Sequence, residues 1–215
     1  MNNNQKFSIG EALTYGWHTF FANVSFFVVL LLLIIGINVA VGLFVAALKN
    51  GPEFFIAIIQ LISAIVSMVI SLGILKVMLA IIDSKPVEIS MLWSVSAKQI
   101  VSYLIVSIIY GFLVVIGLIF LIIPGIYFAA KYAFVSYVIV DEDLGPFAAF
   151  KRSAELTQGS KMRLIVWALA AVGVELLGIL ALVLGILVAI PIVMLANTYI
   201  YRQLTRSKQV ATTTT

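Results

Sequence analysis

Long apolar runs alternate with short polar segments along most of the chain. A membrane-spanning helix needs about 20 mostly apolar residues. The last apolar tract, residues 164–201, is too long for one span at about 1.5 Å per residue and should fold back near Gly185. Neither this hairpin nor the one at Pro124-Gly125 has a polar loop, so both should turn on the same side of the membrane. The pattern predicts six transmembrane helices, at residues 24–48, 54–82, 98–122, 125–141, 162–183 and 186–204.

A short amphipathic segment precedes each predicted hairpin. The first, residues 8–22, opens with a capping box of Ser8 and Glu11 and repeats apolar side chains at helical spacing. Shorter versions begin near residues 87 and 146, and each should lie in the interface plane. The sequence therefore predicts an all-α polytopic integral membrane protein. It would have six transmembrane helices and three cytoplasmic interfacial amphipathic helices, each preceding a transmembrane hairpin.

These elements form one predicted membrane domain, residues 8–206. The Asn-rich residues 1–7 and the Thr-rich residues 207–215 are expected to be disordered tails. No short apolar segment leads to a small-residue cleavage site, so we expect no cleavable signal peptide.

Lysine and arginine are distributed asymmetrically about the six spans. Ten of the thirteen fall on one side, only Lys49 falls on the other, and Lys76 and Lys131 lie within spans. The ten are Lys6, Lys85, Lys98, Lys151, Arg152, Lys161, Arg163, Arg202, Arg206 and Lys208. Because cytoplasmic loops carry the excess of basic residues, both termini should be cytoplasmic and the protein should lie in the cytoplasmic (inner) membrane.

The composition supports lipid as the main solvent and limits the possible chemistry. The chain is 63% hydrophobic and 10% charged, has no cysteine, and has one histidine, His18. Thiol catalysis, thiolate metal sites and histidine triads are therefore excluded. The acidic run 141–143 could hold a divalent cation, but the pattern favours a solvated helix end that marks the cytoplasmic boundary. We expect no enzymatic activity, no cofactor and no nucleic-acid partner.

The segment from residue 123 to residue 167 carries a recognisable motif. A Pro-Gly turn is followed by a basic residue, by an acidic residue that ends the span, and then by Ala-x-x-x-Ser-x-x-Leu-x-x-Gly. The positions are Pro124, Gly125, Lys131, Asp141, Ala149, Ser153, Leu156 and Gly159. This motif resembles the signature of YciC-type membrane proteins, which the membrane domain of glycerophosphoryl diester phosphodiesterase shares.

The resemblance extends over nearly the whole chain and implies a fold more than a reaction. Much of this wider family has no assigned activity. In its phosphodiesterase members a soluble catalytic domain follows the membrane part, whereas nine residues follow Arg206 here. The sequence also offers no catalytic constellation, so we do not expect phosphodiesterase activity.

The cytoplasmic basic residues are candidate contacts for anionic lipid head groups. Each basic residue near a membrane surface contributes about 1 kcal/mol of attraction. The alternative is that these residues only set the topology. The candidates are Lys151, Arg152, Lys161, Arg163, Arg202 and Arg206.

A second candidate site lies within the spans. Counted at about 1.5 Å per residue, Lys131 and Glu175 fall at the same depth in the outer half of the membrane. Ionisable groups in spans usually face the bundle interior and pair, so the two are predicted to form a buried ion pair. Asn38 and Gln60 fall near this level as possible neighbours. Such a cluster could lock the helices together or form a small pocket for a head group or an ion.

The sequence favours a non-enzymatic membrane protein that interacts with lipids, with other membrane proteins or with itself as a homo-oligomer. The broad surface that interfacial helices offer to head groups supports this role of organiser or accessory factor. The alternative is a small transporter or permeation pathway for a small solute or lipid, formed by one chain or by an oligomer. That alternative needs a continuous polar route, and the spans contain only isolated polar residues.

Overall fold

The computed structural model describes residues 7–47, 52–120 and 122–213. Within these ranges every regular element is a helix. The α-helices are α1 (Ile9–Ala22), α2 (Val24–Ala47), α3 (Glu53–Ile82), α4 (Ala97–Phe120), α5 (Ile122–Lys131), α6 (Val135–Glu142), α7 (Pro146–Thr157), α8 (Lys161–Leu180) and α9 (Leu182–Thr213). A short 3-10 helix, Ile89–Trp93, lies between α3 and α4.

The prediction of an all-α protein with six membrane-spanning helices is confirmed. Six helical segments of the described chain are long and apolar enough to cross a membrane. They are Val24–Ala47, Glu53–Ile82, Ala97–Phe120, Ile123–Glu142, Lys161–Leu180 and Gly185–Val210. The fourth is not one straight helix, because a turn at residues 132–134 divides it into α5 and α6.

The core lies around α6 and the C-terminal half of α9. Val138 and Ile139 of α6 are fully buried, as are Ala196 and Ile200 of α9. These residues share one hydrophobic cluster with Leu156 of α7. The short helix α6 is therefore enclosed by protein instead of facing lipid along its length.

Helix α1 forms as the capping box predicts and packs across α9. The Glu11 N–H donates to the Ser8 hydroxyl at 3.4 Å. Gly16 lies against the backbone of Ile192, where any Cβ would collide. Tyr15 stacks on Tyr199 with ring centroids 4.9 Å apart, and burial raises the pKa of the Tyr15 phenol. The contact fixes α1 on the same part of α9 that holds the core.

The second predicted surface helix, near residue 87, is not an α-helix. The segment instead holds the five-residue 3-10 helix Ile89–Trp93. Its Leu92 is fully buried and lies so close to Gly73 of α3 that a Cβ there would clash with the Leu92 backbone. Leu92 therefore faces α3, while Ile89 and Trp93 of the same segment are exposed.

Both hairpins without polar loops close through glycine contacts, not through turns at the predicted residues. Pro124 and Gly125 lie in the first turn of α5, where the missing proline N–H costs nothing. A Cβ on Gly117 of α4 would lie 2.7 Å from the Gly125 Cα. At the other hairpin Ala181 forms the turn, and Gly185 packs against the backbone of Gly178.

The two predicted tails also differ from expectation where the structure describes them. Phe7 is buried in the main core, and the Arg163 guanidinium donates to its carbonyl at 3.1 Å. Helix α9 continues to Thr213, because no glycine or proline follows Pro191 to stop it. Residues 1–6, 214 and 215 lie outside the described residues.

Candidate functional site

The main polar cluster joins the ends of α3 and α6 to α9 through Arg202. The Arg202 guanidinium donates to the Asp141 carboxylate at 2.6 and 2.8 Å, and to the Asp83 carboxylate at 2.7 Å. The neighbouring Tyr201 hydroxyl donates to Asp141 at 2.8 Å. The Arg202, Asp83 and Asp141 side chains are only 15%, 21% and 18% exposed, so solvent screens these pairs weakly. We call these four residues the Arg202 cluster.

Tyr201 positions α6 against α9. Its ring lies 5.8 Å from that of Phe134 and 5.3 Å from that of Tyr137, measured between centroids. The Tyr201 hydroxyl also reaches Asp141, so this one buried side chain contacts residues near both ends of α6. Asp141, the acidic residue of the motif, is thereby brought to Arg202.

Each carboxylate of the acidic run 141–143 pairs with a different cation. Asp141 binds Arg202, while Glu142 accepts from Arg152 at 3.0 Å and Asp143 accepts from Lys98 at 2.8 Å. The three carboxylates therefore connect α6 to α9, α7 and α4 respectively. This arrangement supports the interpretation as a helix end over that of a shared cation site.

The serine of the motif bonds the break between α5 and α6. The Ser153 hydroxyl accepts from the Phe134 N–H at 3.3 Å and donates to the Lys131 carbonyl at 3.4 Å. Thr157, one turn later, donates to the same carbonyl at 2.9 Å. Helix ends leave backbone groups without partners, and here two hydroxyls of α7 satisfy them. Gly159 follows with φ 78°, a left-handed conformation that favours glycine.

The structure does not bring Lys131 and Glu175 together. No Lys, Arg or His nitrogen of the described chain lies within 4.0 Å of the Glu175 carboxylate. The Lys131 ammonium lies 5.0 Å from the centroid of the Tyr132 ring and borders α7. A depth counted along the helices does not fix which neighbour a side chain faces, and Lys131 borders α7 instead of α8. The helix breaks just after Lys131, and α7 packs against the break.

Asn38 and Gln60 also do not join these residues. Asn38 donates to the Ile34 carbonyl of its own helix at 2.8 Å, and both side chains are exposed. The buried residues of α2 are Phe27 and Leu30, and those of α3 begin at Ile70. Both amides therefore lie on segments outside the core.

The predicted head-group contacts fall into three groups. Arg152 and Arg202 are engaged in the ion pairs described above, which leaves them poorly placed for lipid. Lys161 donates to the Tyr127 hydroxyl at 2.6 Å, and Arg163 donates to the Phe7 carbonyl. Lys151 and Arg206 are exposed.

A lateral groove lies among α4, α5, α8 and α9. Its volume is about 500 Å³, and its walls are mainly alanine and aliphatic side chains. Four residues bring polar atoms to it. They are Tyr110, Trp167, Glu175 and Asn197. We refer to this cavity as the lateral groove.

The sequence did not predict the lateral groove or the partners of Arg202. Asp83 lies 119 residues before Arg202, and no spacing rule links the two. One signal was available, because Asp83, Asp141 and Arg202 all lie at the predicted cytoplasmic ends of spans. Opposite charges at one membrane level are candidates for pairing.

The six spans, their glycine hairpins and the Arg202 cluster define a multi-pass α-helical membrane protein. The chain belongs to the family described as "Protein of unknown function (DUF975)", which matches residues 53–208. It is similar to Uncharacterized protein Mb2590 of Mycobacterium bovis and to Uncharacterized protein MT2637 of Mycobacterium tuberculosis. Each is 29% identical over 92% of this chain and 69% of the relative. No solved structure matches.

Proposed function

We propose that this protein is a non-enzymatic integral membrane protein of the cytoplasmic membrane that binds lipid, as an organiser or accessory factor. The observation that carries the proposal is the lateral groove. It lies between membrane-spanning helices, and its walls are mainly apolar. An acyl chain is the ligand that such walls in such a place accommodate best.

The polar groups of the spans favour lipid binding over transport. A permeation pathway needs polar groups that face a shared route. The hydroxyls of Ser63, Ser71 and Ser107 instead donate to carbonyls one turn earlier in their own helices, at 2.7–2.8 Å. The Asn38 amide does the same.

The resemblance of residues 123–167 to YciC-type membrane proteins supports the proposal at the level of fold. Helices α1 and α7 would lie along the cytoplasmic surface. The exposed Trp17 and Phe21 of α1 and Phe147 of α7 suit contact with head groups. Lys151 and Arg206, exposed on the same predicted side, would add a weak attraction to anionic lipid.

Native mass spectrometry in mild detergent tests the proposal, because it reports retained lipids and oligomeric state together. The test variant is Ala168→Phe, which fills the lateral groove from an exposed position of α8. The control is Leu176→Phe, at an exposed position of the same helix outside the groove. We expect the wild type and Leu176→Phe to retain lipid, and Ala168→Phe to retain less. If all three emerge free of lipid, the proposal is wrong.

A further inference from the structure

Glu175 brings a negative charge to the lateral groove. It lies on α8 five residues before Leu180, about 8 Å from the end of the helix. In the predicted topology this end is near the outer surface, so a lipid head group of the outer leaflet could reach the carboxylate. The side chain is exposed at the groove and is not enclosed by protein.

This carboxylate has no cation to neutralise it in the described part of the chain, as shown above. An unpaired charge in contact with hydrocarbon is costly, and such residues mark binding sites or ion pathways. Lys131, the partner that the sequence predicts, contacts Tyr132 and borders a different cavity with α7. We therefore look for the partner of Glu175 outside the described part of the chain.

Three other polar atoms of the groove are engaged with protein partners. The Trp167 indole N–H donates to the Asn197 side-chain oxygen at 2.7 Å. The Tyr110 hydroxyl donates to the Ala129 carbonyl at 3.4 Å. The charged group of the groove is the Glu175 carboxylate, which accepts hydrogen bonds and attracts cations. A primary ammonium supplies both a charge and three donors, whereas a quaternary ammonium supplies charge alone.

We propose that the lateral groove binds a lipid whose head group carries a primary ammonium, held by the Glu175 carboxylate. The inference rests on the proposed function and names the lipid class. The apolar walls cover the acyl chains, which is why the ligand is a lipid and not a free amine. A charge-assisted bond in a site of low dielectric is stronger than the same bond in water.

The experiment is a lipid competition read by native mass spectrometry. Purified protein is offered equal amounts of phosphatidylethanolamine and phosphatidylcholine with the same acyl chains. The variants are Glu175→Gln, which keeps the shape and removes the charge, and Glu53→Gln. Glu53 is an exposed carboxylate in the first turn of α3, on the same predicted side of the membrane but outside the groove. Thermal unfolding of each variant confirms that it is folded.

We expect the wild type and Glu53→Gln to retain the ethanolamine lipid with a preference of about tenfold. Glu175→Gln should retain both lipids equally, and Glu175→Asp should recover part of the preference. Equal retention by the wild type, or a preference that survives Glu175→Gln, overturns this inference but leaves lipid binding intact. Retention of no lipid at all overturns the proposed function as well. Displacement of the lipid by water-soluble ethanolamine would show that the head group alone is bound, and would overturn the assignment to a lipid.

Discussion

The Arg202 side chain joins α9 to the ends of two other helices, because its guanidinium binds Asp83 after α3 and Asp141 of α6. Removing one partner of a buried ion pair leaves the other charge without compensation, whereas removing both sides is far less costly. Asp83 and Asp141 would face each other without the arginine. The cluster is therefore the place where a single substitution should harm the fold most.

Replacing Arg202 with methionine should lower the free energy of unfolding by about 3 kcal/mol, since Asp141 loses its cation and Asp83 keeps only the exposed Lys85, 3.5 Å away. Arg202→Lys should recover part of this loss, because lysine keeps the charge but not the two-pronged geometry. Thermal unfolding in detergent micelles measures the effect. Arg206→Met, four residues later and exposed, is the control and should change little. Equal losses at both positions would show that the ion pairs contribute nothing specific.

The hydroxyls that bond the Lys131 carbonyl offer a second test. Ser153→Ala and Thr157→Val should each cost about 1 kcal/mol. The double variant should cost more than their sum, because the carbonyl then has no hydroxyl partner. Ser107→Ala is the matched control, since that hydroxyl bonds a carbonyl within its own helix and is exposed. A double variant as stable as either single variant would contradict the role assigned to these bonds.

At the scale of single residues, the sequence identifies important positions, but it does not identify the residues that they contact. Asp141 and Ser153 stood out through the motif, and both make important bonds. The sequence predicts a head-group contact for Arg202, which the structure pairs with Asp83 and Asp141, and a pair of Lys131 and Glu175, which the structure does not bring together. Partners depend on how helices far apart in the chain pack, and counting residues along ideal helices does not determine that.

Among the helices, the glycine contacts at the two hairpins fix how α4 meets α5 and how α8 meets α9. In lipid no hydrophobic effect drives helices together, so close backbone approach at small residues is a main source of packing energy. Gly117 and Gly125 serve one hairpin, and Gly178 and Gly185 serve the other. The spacing is eight residues in the first and seven in the second.

Substituting alanine for Gly117 should destabilise the protein by about 1–3 kcal/mol, because the new methyl group meets backbone that cannot yield. Gly111→Ala on the same helix is a strict control, since nothing lies within 4 Å of a Cβ built there. Chemical denaturation in mixed micelles would report both values. If the two variants are equally stable, the hairpin does not depend on close approach at Gly117.

The number and type of the membrane helices could be read from hydropathy because lipid requires every span to satisfy its own backbone hydrogen bonds. The break between α5 and α6 could not be read in this way. Residues 132–134 contain neither glycine nor proline, and the chain there is as apolar as its surroundings. The break depends on hydroxyls supplied by α7, which is a tertiary contact and leaves no local signal.

For the molecule as a whole, the distribution of basic residues predicts how the chain is oriented in the membrane. Ten of thirteen basic residues fall on one predicted side, so both termini should be cytoplasmic. A reporter that is active only outside the cytoplasm, fused after Arg206, should be silent. The same reporter placed between α2 and α3 should be active, because that connection is predicted to face outward. Strong activity of the fusion after Arg206 would rule out the six-span topology.

The position of Arg202 in the last helix also has a consequence for biosynthesis. The ribosome synthesises Asp83 and Asp141 long before it synthesises Arg202. Until then, both carboxylates are present in the nascent chain without this partner. Assembly of the helices can be completed only when the last span has been inserted. Chains that stop at residue 198 should therefore be degraded faster than chains that stop at residue 207, and pulse labelling would measure the difference in half-life. Equal half-lives would mean that the charge balance of the finished protein plays no part in its survival during synthesis.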